Sequence, residues 1–192
     1  KFLDIFPDYK PKKVDKYLEK LTIAHLVSMT SGKAASVKGR TEKDWIKLFL
    51  KAKWAFEPGT DWRYINDNFY VAAAAITRVA KMSVTEYLTP RLFEPLGIDV
   101  PVWEKSPTDI EAGGWRLFLK TEDIAKLILT YMNGGKYNGE QVIPEWWTKE
   151  ATAYHNDNSG SQAKRDSQAG YGYGFWRCAG MENTYRCEGL YS

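Results

Sequence analysis

The sequence predicts a mostly α-helical chain that ends in a β-hairpin. Between residues 20 and 153, apolar residues recur at helical spacing in segments that begin at capping residues and end at glycines. Beyond residue 170, aromatic residues alternate in two short segments separated by a turn, a pattern typical of paired strands. We therefore divide the chain into a helical region (1–153), an exposed polar loop (154–170) and a hairpin (171–192).

The first two predicted helices are short and amphipathic. Thr22 is placed as the N-cap of a helix from Ile23 to Met29, and Gly32 follows where that helix would stop. The second helix lies within "TEKDWIKLFLKA". Its apolar stripe consists of Trp45, Leu48 and Phe49.

The segment from Asp67 to Met82 is the most helical part of the chain. It contains four consecutive alanines, lacks internal glycine and proline, and is apolar on nearly all sides. We therefore expect this helix to be buried.

The next helix has signals at both ends and in the middle. Ser83 and Glu86 form a capping box, and Gly97 follows a helix that ends near Leu96. Pro90 lies inside it and predicts a kink or a division into two short helices.

Two helices follow in the second half of the chain. One begins at Thr121 with acidic residues in its first turn and ends at Gly134 and Gly135, an arrangement that suits the helix dipole. The other is "EWWTKEAT", for which Pro144 is placed as the first helical residue.

The hairpin is predicted from "GYGYGFWRC" and "NTYRCEGLYS", with a turn from Gly180 to Asn183. Because a two-stranded hairpin is marginal alone, we expect it to form the edge of a larger sheet. Cys178 and Cys187 flank the turn. Two free thiols are the default interpretation, and a disulfide across the strands is the alternative if the protein is exported.

Composition excludes several classes of function. The formal net charge of +3 is too small to indicate a nucleic-acid partner, and the lysine cluster near the N-terminus is interpreted as solvated surface. No apolar run reaches the ~20 residues that would form a transmembrane segment. The two cysteines and two histidines lack ligand spacing, so we expect no metal site and no cofactor.

The stretch "DWRYINDNFY" places a Tyr-x-Asn, Tyr64 to Asn66, between a Pro-Gly turn and the longest helix. The structural interpretation makes Asn66 a helix cap and Tyr64 ordinary core. The functional interpretation makes the two residues half of a catalytic apparatus. The tripeptide alone favours the structural interpretation, and the surrounding pattern must decide.

The order of the segments resembles the serine β-lactamase and penicillin-binding-protein superfamily, in its class C-like branch. The resemblance is carried by "LTIAHLVSMTSG", "FEPGTDWRYINDNFYVAAAAITRVAKMSVTEYL", "LFEPLGI", "GGWRLFLKTEDIAKLILTYMNGGKYNGEQVIPEWW" and the two hairpin segments, from about Phe6 to Ser192. It implies a β-lactamase/transpeptidase-like α/β fold and a bacterial hydrolase with a small-molecule or peptide substrate. It also favours a periplasmic or extracytoplasmic location.

The resemblance assigns roles to the Tyr-x-Asn. Members of the superfamily acylate the serine of a Ser-x-x-Lys, whose proton must be taken by a neighbouring base. By this resemblance Tyr64 is the general base or one member of a Lys-Tyr base pair, and Asn66 orients the lysine and the substrate amide. The literal match, Ser161 to Lys164, lies in the polar loop and after Tyr64 rather than before it. We treat it as a chance match and expect the true serine upstream of Lys1, which would make this chain a fragment.

The third motif of the superfamily, Lys-Thr-Gly or His-x-Gly, aligns with Cys187-Glu188-Gly189. Gly189 retains the glycine that lets a substrate or another backbone segment approach closely. The resemblance also implies that the backbone N–H of Leu190 would be an oxyanion-hole donor. The cation is replaced, which disfavours penicillinase activity and favours an esterase, amidase or peptidase. Glu188 is interpreted as an outward-facing strand residue.

Two alternative hypotheses for the function of the chain stay open. One is a noncatalytic sensor that binds β-lactams or peptidoglycan. The other is a plain helical interaction domain, in which Tyr64 would point into the core.

Overall fold

The computed structural model describes residues 1–34, 42–160, 168–180 and 183–188. Its α-helices are α1 (Phe2–Ile5), α2 (Lys16–Lys20), α3 (Ile23–Val27), α4 (Trp45–Lys51), α5 (Asp67–Ala80), α6 (Val84–Leu88), α7 (Thr121–Met132) and α8 (Glu145–Thr152). Its strands are β1 (Val102–Trp103), β2 (Leu117–Phe118), β3 (Lys136–Tyr137), β4 (Glu140–Gln141), β5 (Trp176–Arg177) and β6 (Tyr185–Arg186).

The described residues fall into two compact units. The first unit takes them from Lys1–Ser36, Lys51–Asn68 and Glu150–Ser192, and the second takes them from Val37–Leu50 and Phe69–Lys149. The predicted division at residues 153 and 170 stays a prediction. Within the segment predicted as an exposed loop, Asn158 is buried, and its side-chain oxygen accepts a hydrogen bond from Gly170 N at 2.8 Å.

The first unit begins with short helices that pack through aromatic rings. Phe2 and Phe6 are buried and their rings stack at 4.7 Å. A 3₁₀ helix, Pro7–Tyr9, follows. The predicted cap of α3 is confirmed, since Thr22 Oγ1 accepts a hydrogen bond from His25 N at 3.2 Å.

Helix α3 ends at Val27, two residues before the predicted end. The reason is Met29, which takes the left-handed conformation (φ 62°) and so cannot continue the helix. Gly32 also has a positive φ, and a Cβ there would lie 2.4 Å from Phe56 O. Only glycine allows this close approach.

The second unit has its own apolar core. Trp45 of α4 packs against Tyr70 of α5 at 5.1 Å and against Trp115 at 5.8 Å between ring centroids. A separate cluster is formed by Phe93, Leu96 and Ile98.

Helix α5 is buried along its first part, where Tyr70, Val71 and Ala74 have almost no exposed surface. The expectation of full burial was wrong for its end, because Val79 is 68% exposed. This end also carries Arg78 and Lys81, both exposed, whose charged groups favour solvent contact.

The capping box of α6 is confirmed by reciprocal hydrogen bonds. Glu86 N donates to Ser83 Oγ at 3.1 Å, and Ser83 N donates to Glu86 Oε2 at 2.7 Å. The predicted kink takes the form of a π-helical turn at Thr89–Phe93. Pro90 has no N–H for the α-helical ladder, and Glu94 N instead donates to Thr89 O, five residues back.

Helix α7 begins at Thr121 as predicted and ends at Met132, before Gly134 and Gly135, which both have positive φ. Helix α8 begins one residue later than predicted. Pro144 precedes it, and its carbonyl accepts a hydrogen bond from Trp147 N at 2.9 Å.

Two antiparallel strand pairs in the second unit were not predicted. Strands β3 and β4 are joined by Asn138 and Gly139, which have φ values of 48° and 87°. Asn-Gly is the strongest short-range signal for a two-residue hairpin, so the sequence contained the information. Strands β1 and β2 pair through Val102 and Phe118, which are separated by a long connection.

The C-terminal hairpin is confirmed as an antiparallel pair, β5 with β6. Cys178 N donates to Thr184 O at 3.0 Å, so the register places Cys178 opposite Thr184 rather than opposite Cys187. Both cysteines are free thiols.

Among the described residues, no helix combines the length and apolar character that crossing a bilayer requires.

Candidate active site

The Tyr-x-Asn lies directly before α5. The backbone alternates, so that Ile65 is buried whereas Tyr64 and Asn66 are exposed. Ile65 N donates to the sulfur of Met29 at 3.4 Å, and Asn68 Nδ2 donates to the same sulfur at 3.3 Å. The buried Met29 thus holds the loop from both sides of Asn66.

Tyr64 belongs to a group of four rings in the first unit, which we call the aromatic cluster: Trp62, Tyr64, Tyr171 and Trp176. Tyr64 stacks on Trp176 with 5.3 Å between centroids and an interplanar angle of 27°. Trp62 lies 5.4 Å from both Trp176 and Tyr171. Tyr64 is the most exposed of the four at 40%, so its ring forms the accessible face of the cluster.

The aromatic cluster places Tyr64 against the C-terminal hairpin. Trp176 is a residue of β5, and Tyr171 bridges to it. A plain helical interaction domain would have Tyr64 pointing into the core. In the structure its side chain is instead 40% exposed.

The surroundings of Tyr64 raise the pKa of its phenol. Burial is the largest cause, and the Cys187 thiolate, once it forms at high pH, and the Glu188 carboxylate act in the same direction. The phenol of Tyr64 is therefore neutral at neutral pH. Burial, assisted by Tyr64, raises the pKa of Tyr171 as well.

The hairpin end carries the predicted third motif. Cys187 Sγ lies 3.9 Å from Gly174 O, and burial raises the pKa of its thiol. The Glu188 carboxylate lies 3.7 Å from the Arg186 guanidinium. Through their effect on its pKa, both Cys187 and Glu188 are electrostatic neighbours of Tyr64.

Three sequence predictions lie outside the described residues: Gly189, Leu190 and the Ser161 to Lys164 match. The structure packs Tyr64 on Trp176 of the C-terminal hairpin and places Asn66 directly before α5. The chemical roles of all these residues stay predictions.

The sequence reasoning did not single out Trp62, Tyr171 or Trp176 as site residues. The available signal was the density of aromatic residues in "DWRYIN" and "GYGYGFW". That density alone is equally typical of core packing.

Lys33 is a further residue of the first unit that the sequence reasoning did not single out. It has no exposed surface, its Nζ donates to Ala52 O at 3.0 Å, and the same atom lies 3.6 Å from the centroid of the Trp54 ring. Burial lowers the pKa of Lys33 to about 8, against a smaller opposing effect of Asp15.

In the described part of the chain, no group of three or more His, Cys, Asp or Glu side chains is arranged to hold a metal ion.

Comparison with protein families gives one match, to the family named Beta-lactamase, over residues 11–192. A comparison with curated protein sequences gives no match.

Solved structures with the same fold have low sequence identity. A Bacillus anthracis protein assigned as a 6-aminohexanoate-dimer hydrolase superposes with a TM-score of 0.70 at 20% identity, over 91% of this chain and 50% of that one. A Bacteroides dorei DSM 17855 protein assigned as a beta-lactamase gives 0.68 at 14% identity, over 91% and 57%.

A penicillin binding protein from Bacillus halodurans gives a TM-score of 0.60 at 20% identity, over 81% of this chain and 57% of that one. The chain thus spans half to three-fifths of the length of these solved relatives.

Proposed function

Because the chain belongs to the Beta-lactamase family, whose similar structures include proteins assigned as hydrolases, we propose that it supplies part of the active site of an acyl-transferring serine hydrolase. Tyr64 is the general base for a serine of the longer protein, and Asn66 orients the lysine and the substrate amide. The substrate is an ester, amide or peptide.

The proposed reaction has two halves. Tyr64, as a phenolate, takes the serine proton while the serine oxygen attacks the substrate carbonyl, and it then passes this proton to the leaving group, which departs. Water then attacks the acyl-serine, Tyr64 again accepts a proton, and the serine recovers one as the acid leaves. The N–H of Leu190 stabilises the oxyanion formed in each half.

The observation that carries the proposal is the position of Tyr64. Its exposed ring stacks on Trp176 of the hairpin and is an electrostatic neighbour of Cys187 and Glu188, although Tyr64 is far from them in sequence. Residues from two distant motifs that meet at one accessible surface are typical of an active site.

The raised pKa of Tyr64 sets a requirement for this mechanism. A phenol acts as a base only when its phenolate is stabilised, and every effect on Tyr64 within the described residues acts against the phenolate. The lysine of the Ser-x-x-Lys motif is the cation that would reverse this effect in the complete site.

The third motif indicates the bond class. Cys187 and Glu188 stand where relatives that bind a β-lactam carboxylate have a cation, so we infer activity on ester, amide or peptide bonds rather than on penicillins.

A noncatalytic sensor is the second candidate. It is favoured by the same raised pKa, since a Tyr64 that never ionises retains only a binding role. A sensor is acylated or occupied without turnover, whereas the hydrolase releases product repeatedly.

The test is single-turnover acylation of the full-length protein by a p-nitrophenyl ester, with Tyr64→Phe and Tyr154→Phe compared. Tyr154 is an exposed tyrosine of the same unit and serves as the control. Removing a general base should lower the acylation rate ~10²- to 10⁴-fold, while Tyr154→Phe has no effect. A stable Tyr64→Phe protein that acylates at the wild-type rate contradicts the catalytic role.

A further inference from the structure

The second unit contains a cavity of about 650 Å³, which is lined by residues at the end of α5, at the start of α6 and in the segment 101–111. This volume lies within the range of protein sites that bind small molecules. None of the lining residues belongs to the aromatic cluster, and the chemistry proposed for Tyr64 uses none of them. The cavity is therefore a candidate site for a small molecule.

Glu111 is the buried acid of this cavity. It is 1% exposed, and its Oε2 accepts a hydrogen bond from Val84 N at 3.2 Å. Its other carboxylate oxygen, Oε1, is shielded from solvent and has no hydrogen-bond partner among the described residues. A buried carboxylate oxygen without a partner costs free energy, and native proteins seldom leave one so. The terminal torsion of glutamate is broad, so a modest rotation can turn Oε1 toward a donor in the cavity.

The lining of the cavity carries more acids than bases. The acids Glu86, Asp109 and Glu111 outnumber the lysines, Lys81 and Lys105, by one. Lys105 is already engaged, since its Nζ donates to Asp109 Oδ1 at 3.0 Å. Lys81 is exposed, so its ammonium can stay in water. The donor that best complements the Glu111 carboxylate is therefore a positively charged one, because such hydrogen bonds are the stronger kind.

Apolar side chains form another part of the lining. Met82 and Val102 are 39% and 71% exposed, so both offer apolar surface for contact. Trp103 is half-buried, and its indole Nε1 donates to Trp115 O at 3.1 Å, which restricts the ring. An aromatic or aliphatic group in the cavity would remove this apolar surface from water.

We propose that this cavity binds an organic cation, an ammonium group on an aromatic or aliphatic body. The ammonium donates to the Glu111 carboxylate, and the body packs against Met82 and Trp103. The inference does not depend on the proposed function, because it concerns binding in the second unit and requires no turnover.

The experiment compares three probes of similar size that differ in charge: 2-phenylethylamine, 2-phenylethanol and phenylacetate. Their Kd values for the full-length protein are measured by isothermal titration calorimetry. The amine should bind about tenfold more tightly than the alcohol, because a hydrogen bond between charged groups exceeds a neutral one by roughly 1.4 kcal/mol. Phenylacetate should bind more weakly than either, since it brings a second carboxylate to Glu111.

Variants test whether the amine binds at Glu111. Glu111→Gln keeps the shape and an acceptor oxygen but removes the charge, so the Kd of the amine should approach that of the alcohol. Met82→Lys adds a cation to the lining and should weaken the amine several-fold with little effect on the alcohol. It keeps the test valid if Glu111→Gln fails to fold. Val79→Lys is the control, since Val79 is exposed and lies two residues from Thr77, on the opposite side of α5.

Each other outcome overturns the inference. Absence of amine binding, or equal Kd values for the amine and the alcohol, would mean that the cavity does not select a cation. Tighter binding of phenylacetate would mean that the lysines hold an anion instead. Amine binding that is unchanged in both Glu111→Gln and Met82→Lys, or that falls equally in Val79→Lys, would place the amine elsewhere on the protein.

Discussion

Burial acts in opposite directions on the ionisable side chains of Lys33 and Tyr64. In each case it disfavours the charged form, so it lowers the pKa of the Lys33 ammonium and raises the pKa of the Tyr64 phenol. Lys33 remains mostly charged at neutral pH, held by Ala52 O and the Trp54 ring. The burial of Lys33 therefore makes a pH-dependent contribution to the free energy of unfolding.

Stability should rise with pH between about 8 and 10.5 through Lys33. The folded protein releases this proton near pH 8 and the unfolded chain near pH 10.5, so the unfolded state binds more protons in this window. The full effect corresponds to about 3 kcal/mol. Urea unfolding at pH 7 to 9.5 should show a rise in the wild type that is smaller in Lys33→Met.

The matched control for Lys33 is Lys10→Met, which replaces an exposed lysine of the same unit. Tyrosines with raised pKa change stability in the opposite direction at high pH, and comparison with this control removes their contribution. Identical pH slopes in Lys33→Met and Lys10→Met would show that the Lys33 ammonium is not destabilised by burial.

Site residues were predictable to the extent that local sequence defines them. Tyr64, Asn66, Cys187 and Glu188 were singled out because short motifs keep their order along the chain, and their roles in a site stay predictions. The stacking of Tyr64 on Trp176 was not predictable, because it depends on the approach of segments far apart in sequence. Lys33 was missed because its burial reverses the usual exposure of lysine.

Among the secondary-structure elements, the first residues of helices were predicted from the sequence more accurately than the last residues. Thr22 and Ser83 form local hydrogen bonds that need no tertiary partner, and both caps were correct. The end of α3 depends on Met29, whose left-handed conformation accompanies its burial under the Tyr-x-Asn loop. That conformation is unusual for methionine, so propensity could not indicate it.

A glycine determines how closely the chain approaches α5. Gly113 has φ +68°, and a Cβ there would lie 2.3 Å from Phe69 O and 2.9 Å from Ala73 Cβ. Gly113→Ala should therefore lower the free energy of unfolding by more than ~2 kcal/mol, through both strain and a backbone clash. Chemical denaturation of the variant beside the wild type measures this.

The control for Gly113 is Gly160→Ala, where an added Cβ has no heavy atom within 4 Å. It should change stability by no more than a few tenths of a kcal/mol. If both substitutions have the same small effect, then α5 can move away from residue 113, and the close approach is not a constraint on the fold.

For the whole molecule, the proposed activity needs groups that the described residues have not been shown to supply. The chain spans 50 to 57% of the length of the three solved structures described above, and the general base proposed at Tyr64 needs both a serine and a cation. The described residues contribute the aromatic cluster and the hairpin edge. In the proposed function, these features would contact the substrate, and Tyr64 would accept a proton from a serine outside this chain.

Residues 1–192 alone should therefore hydrolyse neither a p-nitrophenyl ester nor a chromogenic cephalosporin above the buffer rate. The literal Ser-x-x-Lys in this sequence, at Ser161 to Lys164, follows Tyr64 and lies in a polar segment, where a desolvated nucleophile is not expected. The measurement compares the chain with its Ser161→Ala variant and with the full-length protein at equal concentration. Turnover by the chain that disappears in Ser161→Ala would make Ser161 the nucleophile and would overturn the assignment of an upstream serine. Turnover that persists in both would instead mean that residues other than a Ser-x-x-Lys serine attack the substrate, and Tyr64→Phe in the same chain would then show whether the Tyr-x-Asn takes part.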